Sequence, residues 1–482
     1  MPILAAVALL ASGVGLARAI PIPEDPLADP GEQFAGGPAK PKPIRAKLPP
    51  RHPFMAPNQR SNIHNDAYQT DVYRWRGPLG RSMSRTSTFY AHECASITFD
   101  SKGRLVTVCV GIERPFLALL EPRTLNELAR YDLPPRQPGG GDIFTDFSGG
   151  GYFYLDHRGR AVAPTMTRHL FVIRQTAAPE FELERDYDLT GVVPMGDAII
   201  SALPDWRGRI WFASKKGVVG YVLPGSGAIR SRDLGEPIGN SFAVDETGAV
   251  FIVSNRALYR FQAGRGPRPK IAWRRRYHND GTVKPGQTQA GSGTTPTVIG
   301  RKWIAITDNA DPVHVVVLNR RRGVKRRLVC RIPIFRKGAS STDQSLIAIN
   351  RSIIAANNFG YSVTATMDGA TTPAPGFERV RIRRRGRGCV KVWRSGERAP
   401  SAVPKLSLGA GLLYTYSKPP REDDTDAWYF TAIDFRSGRT IFRGLAGTGF
   451  GYNNHYAPVT IGPDGTAYIG VLGGMVSLRD TR

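Results

Sequence analysis

The feature that most constrains this chain is a short hairpin that returns about every 50 residues, the length of one propeller blade. In each copy an apolar strand runs into Asp-x-x-Gly, or a variant of it, and a second apolar strand leads away. The clearest copies are Phe242-Ala-Val-Asp-Glu-Thr-Gly-Ala-Val-Phe-Ile-Val253 and Val459-Thr-Ile-Gly-Pro-Asp-Gly-Thr-Ala-Tyr-Ile-Gly470. The turns Asp100-Ser-Lys-Gly103, Asp156-His-Arg-Gly159 and Asp205-Trp-Arg-Gly208 repeat the pattern, and weaker copies fall at residues 298–306, 348–355 and 406–414. Asp is needed to cap a type I turn, and Gly accepts the positive φ that reverses the strand. No single hairpin buries its apolar face alone, so the copies must stack. The expectation is an all-β propeller of eight four-stranded blades, with seven as the alternative. The last copy has room for only three strands before Arg482, and an open sheet edge exposes unpaired backbone groups. An N-terminal strand is therefore expected to close the ring, and Tyr68-Gln-Thr-Asp-Val-Tyr-Arg-Trp75 is the candidate.

A second hairpin follows in most copies, best seen in Ala432-Ile-Asp-Phe-Arg-Ser-Gly-Arg-Thr-Ile-Phe442. It resembles the quinoprotein docking motif AxDxxTGxxxW, with Ser437 for Thr and Phe442 for Trp, and the chain from residue 90 onward is similar to the pyrroloquinoline-quinone-like repeat propellers. That resemblance implies an aromatic wedged against the neighbouring blade, which is a packing role. The quinone cofactor itself is disfavoured, because the chain has no adjacent Cys-Cys pair. Composition agrees with a turn-rich globule: 53 Gly and 38 Pro accompany 41% hydrophobic residues.

Residues 4–16 form an apolar run followed by Ala17-Arg18-Ala19, the small-x-small pattern of a signal peptide. Residues 1–19 are thus expected to be a signal peptide, with an uncleaved anchor or a mis-assigned start as the alternative because no Lys or Arg precedes the run. Residues 20–65 are expected to form a Pro-rich disordered linker, and residues 66–482 to form the propeller. Export makes disulfides plausible for the four cysteines, which show no metal-ligand spacing. Cys94 and Cys109 flank one turn nearly opposite each other, although a Gly bulge there would put them on different faces. Cys330 and Cys389 occupy similar places in successive copies, which would bring adjacent outer strands together. Buried free thiols are the alternative for both pairs.

In a four-stranded blade the inter-blade connections and the loops between second and third strands share one face. Polar residues recur at those places: His92, Asp197, Asn255, Asp311, Asn357 and Asn358, with Asn453, Asn454 and His455 in the last copy. These define a candidate ligand-binding mouth. Glu93, Asn240, Asp308 and Asn309 add oxygen ligands of the kind calcium prefers. The contexts of Glu93 and Asn240 are similar to those in gluconolactonase and paraoxonase propellers, where the resemblance implies metal binding by Glu and Asn. The competing expectation is that Asn and Asp only cap turns and bond to loop backbone.

Sixty-six Lys and Arg against 40 Asp and Glu leave a net charge of +26, which favours anionic partners. Arg274-Arg-Arg276, Arg320-Arg-Arg322, Lys325-Arg-Arg327 and Arg383-Arg-Arg385 are expected on outer hairpins as a basic rim. Anionic cell-surface polymer or a membrane surface suits such a rim in an exported protein, and nucleic acid is disfavoured. The sequence reads best as a secreted or cell-surface monomer that binds a small molecule or a protein at its mouth. The rival reading is a calcium-dependent lactonase or esterase, and a quinoprotein oxidoreductase stands third. No Gly-x-Ser-x-Gly elbow supports a serine hydrolase.

Overall fold

The structure is a computed structural model. It describes residues 18–481 except 30, 113, 137–145, 147, 265, 363–373, 375 and 422–424. The apolar run at residues 4–16 lies outside the described residues.

Eight antiparallel sheets follow one another along the chain, and each carries four blade strands. Blades 1 to 7 span residues 93–132, 154–188, 199–233, 243–276, 297–333, 347–395 and 405–448. Blade 8 takes three strands from residues 459–480 and its outer strand from Met83–Phe89. The ring is therefore closed by an N-terminal strand, but one that follows the expected segment. Met83–Phe89 pairs in unbroken register with Gly474–Asp480. Residues 68–75 cannot do this, because Gln69 and Asp71 have φ of 60° and 57°, which interrupts an extended strand.

Turn chemistry explains each hairpin. In blade 4, Asp245 accepts the backbone N–H groups of Thr247 and Ala249, and Gly248 sits at φ 73°. Phe442, the aromatic of the docking motif, packs on Phe34 and Phe430 of its own sheet, and tryptophans make the bonds between blades. Trp393 of blade 6 donates its indole N–H to the Phe435 carbonyl of blade 7 at 2.9 Å. A side chain at Gly438 would lie 2.6 Å from that indole, so only glycine fits there. Trp273 of blade 4 makes the same kind of bond to the Arg320 carbonyl of blade 5.

Both cysteine pairs are bonded. Cys94–Cys109 joins the first two strands of blade 1, where the register shift falls after Cys94 and leaves the two residues opposite each other. Cys330–Cys389 ties the outer strands of blades 5 and 6.

The largest departure from expectation is the Pro-rich segment, which is packed against the ring. Phe34–Gly36 adds a strand outside blade 7, and Ala39, Lys42 and Ile44 donate their N–H groups to the carbonyls of Leu79, Ala410 and Leu408. Proline brings no N–H of its own, so a proline-rich strap can lie on a protein surface with few donors left to satisfy. From His52 onward the chain enters the central channel. The inner strands there present an edge, and the segment answers it blade by blade. Its carbonyls at Ser61, Ala67, Tyr68, Thr70, Asp71 and Tyr73 accept N–H groups from Leu155, Val244, Val298, Ala348, Leu406 and Leu408. It enters beside the blade 3 turn, where Phe54 covers Gly208, and leaves beside the blade 8 hairpin, where Trp75 bonds to the Ile461 carbonyl. Entry and exit share the face of the Asp-x-x-Gly turns. The channel is closed from that side and leaves a cup beneath the opposite face, where the Tyr456 hydroxyl donates to the Gly286 carbonyl of the connection between blades 4 and 5.

Candidate functional site on the mouth face

The floor of the cup is a polar cluster carried by the channel segment. Asp71, wholly buried, holds an ion pair with the buried ammonium of Lys405 and accepts the Ser345 hydroxyl. His64 Nδ1 lies 3.1 Å from Asp71 Oδ1. Burial alone would raise the Asp71 carboxyl, but Lys405 and His64 outweigh it and hold it below the usual carboxylate range. An ionised carboxylate only accepts, so His64 carries its proton on Nδ1. Its bare Nε2 then faces the Thr295 hydroxyl at 3.4 Å. Burial keeps the ring neutral by lowering its pKa. Nearby Asp66 accepts bonds from Tyr68 and Thr70, yet burial pushes its carboxyl up to about 7.

Above this floor the cup narrows to a cavity of about 40 Å³. Tyr152, Asn240, Asp343, His455 and Tyr456 stand in its wall. Asp343 Oδ2 accepts the Thr288 N–H and hydroxyl at 2.9 and 2.7 Å, while Oδ1 has no partner. Burial pushes this carboxyl up to about 6, against the pull of the Thr288 bonds.

A second, larger hollow of about 740 Å³ opens between blades 8 and 1. Phe89, Val110, Ile112, Phe450 and Leu472 give it apolar walls. Ile112 is 74% exposed and Phe450 59%, which is unusual for side chains of this kind on a folded chain. His92, Glu93, Arg136 and His455 supply polar groups. Glu93 is buried, and its one described partner is the His455 N–H at 2.8 Å. Burial raises its carboxyl well above the normal range, which favours the neutral acid.

The predicted mouth residues are on this face, but most are spent on holding it together. Asn358 bonds to the Pro400 carbonyl, Asn454 accepts the Ser401 hydroxyl, and Asn453 links Asp426 to the Trp428 indole, so these amides join neighbouring blades or the two sides of one connection. Asn357 bonds the Ala339 carbonyl and accepts the Ser341 N–H, Asp311 accepts the Gly338 N–H, and Asp197 binds Ser214 and the Lys216 N–H. Asn255 accepts through its backbone carbonyl from Asn279, and His92 stands between the carbonyls of Tyr90 and Arg114. The four candidate calcium ligands are separated. Glu93 faces the apolar hollow and Asn240 the cup, Asp308 is engaged by His314 and Arg331, and Asn309 bonds to Asn279. Among the described residues no three His, Cys, Asp or Glu side chains stand as a metal-binding group.

His64, Asp71 and Lys405 were not legible as site residues, because the segment bearing the first two has no strand period. A lone Lys within Ala402-Val-Pro-Lys-Leu-Ser-Leu408 was the one available signal. Of the residues expected in the basic rim, Arg274–Arg276, Arg321, Arg322, Lys325 and Arg326 are exposed, and two are engaged otherwise. Arg320 is buried between Asp245 and Glu246 as a tie between blades, and Arg327 lies over the Trp273 ring at 4.3 Å. Arg383, Arg384 and Arg385 are exposed on the outer turn of blade 6.

No protein-family model matches the chain. An uncharacterized protein of Archaeoglobus fulgidus is 28% identical over 331 residues, which cover 62% of this chain. The match spans 64% of that protein's length. Among solved structures, the computationally designed Ika8 protein aligns with a TM-score of 0.51 at 11% identity, over 81% of this chain and 97% of the designed one. That is a likeness of fold. A streptogramin B lyase aligns at 0.40 and 9% identity, over 82% and 97% of the two chains.

Proposed function

We propose that this protein is an exported ligand-binding propeller and that the hollow between blades 8 and 1 receives the apolar body of a small molecule. One observation carries the reading: a space within the usual size range of ligand sites has mostly apolar walls and a few convergent polar groups. Glu93, whose neutral form burial favours, can offer its proton to a ligand acceptor, and the Arg136 guanidinium stands in the same wall. The rival calcium-dependent lactonase would need carboxylates gathered at Glu93; Glu24, Asp25 and Asp426 line the same hollow, but no three acidic or histidine side chains stand as a metal-binding group among the described residues. Export is supported by the two disulfides, which use all four cysteines of the chain. Likeness to the quinoprotein repeats is taken as kinship of packing, resting on the motif around Gly438.

The test uses 8-anilinonaphthalene-1-sulfonate, an apolar anion, as a probe of the hollow. Saturable one-site fluorescence is expected, and Ile112→Glu should abolish it without lowering the melting temperature, because Ile112 is largely exposed. Undiminished binding by Ile112→Glu would sink the assignment.

A further inference from the structure

The axial cup is a separate site from the apolar hollow, and its lining has an unexpected sign. In a chain of net charge +26, no Lys or Arg reaches the surface of the cup, because Lys405 in its floor is buried and paired with Asp71, and one carboxylate, Asp343, does. That carboxylate keeps Oδ2 fixed by Thr288, while Oδ1 is buried beside Gly293 without a partner, so the group carries its charge with few donors to satisfy it. Tyr152 and Tyr456 stand on the same wall, and burial first, then the charge of Asp343, raises both phenols. Both rings are partly open to the cup, as is Asp343. The carboxamide of Asn240 lines it too and makes no bond within the described residues. The space, about 40 Å³, admits a small head group and excludes a bulky ligand.

We propose that the cup binds the ammonium head of a small organic amine, with Asp343 as its counter-ion and Tyr152 and Tyr456 as its aromatic walls. An ammonium in the cup is drawn to the Asp343 carboxylate as its counter-charge, and tyrosine faces attract a desolvated cation. A metal ion would gain little from aromatic walls and would meet one carboxylate. The proposal is independent of the hollow, so Ile112→Glu should leave it intact.

Calorimetric titration of the full-length protein with methylammonium chloride, with calcium chloride as a parallel arm, tests this. Methylammonium should bind saturably, and Asp343→Asn should weaken it by at least about tenfold while keeping an acceptor for Thr288. Tyr152→Leu, which leaves the carboxylate in place, should cost about fivefold for the amine and nothing for calcium. Affinity should fall roughly tenfold per pH unit below about 6, as Asp343 takes up its proton. Absence of saturable amine binding, an unchanged affinity in Asp343→Asn, or calcium binding in place of the amine would each overturn the proposal. If Asp343→Asn does not fold, an unchanged affinity in Tyr152→Leu does so.

Discussion

At the scale of single residues, the cluster under the cup shows how burial and pairing set different fates for three acids. Asp71 is paired and stays charged, whereas Asp66 and Asp343 are buried with neutral donors and hold their protons to about 7 and about 6. Breaking the pair leaves a bare buried charge. Lys405→Met should therefore lower unfolding stability by ~3–5 kcal/mol in urea titrations, and Lys405→Met with Asp71→Asn should recover part of that loss. For Asp66 the folded pKa lies above the unfolded one, so its contribution is complete below about pH 4 and is lost as pH rises toward 7. The same range sees buried His52, lowered to about 3, act in the opposite direction: its neutral form favours the fold, and that benefit disappears as pH falls below about 6.5. Comparing variants separates the two. Relative to the parent, Asp66→Asn should gain stability progressively from pH 4 to pH 7 in thermal melts, and a parallel profile would contradict the assigned burial effect. The mouth amides were legible in the sequence because capping and loop bonding are local habits of Asn and Asp. Which of them face open space was not legible, since that depends on blades far apart in the chain.

At the scale of elements, every first hairpin read from the repeat is present, including the weak copies at residues 298–306 and 348–355, the second of which turns on Asn350. The signal there is contained in a few neighbouring residues. Strand choice at the closure was misread because residues 68–75 and 83–89 are both short candidates, and only the second can keep an extended backbone over its length. The Pro-rich strap was misread for a related reason. Its place is fixed by single bonds to several blades, and a periodicity search has nothing to find in it. The Cys330–Cys389 bond spans 59 residues and links two blades, so it restricts the unfolded chain over a long loop. Cys330→Ser should cost ~2–4 kcal/mol, seen as a lower melting temperature that reducing agent does not depress further by opening this bond. An unchanged melting temperature would show that blades 5 and 6 hold together without it.

At the scale of the whole molecule, charge and shape are arranged by face. The mouth face carries the cup and the apolar hollow, while the outer turn of blade 6 presents Arg383, Arg384 and Arg385 with their side chains in solvent. Net charge sets long-range attraction to anions, and exposed guanidinium groups set where contact is made. Replacing these three by Gln should make the protein leave a heparin column at lower salt; unchanged elution would move the contact elsewhere on the surface. The channel segment has a different consequence, one that concerns time. Residues 52–75 are translated before any blade, yet their hydrogen-bond partners extend to blade 8. The earliest part of the body to be made is thus among the last to be seated, and until translation nears its end it must wait as a loose loop beside a ring that it will later fill.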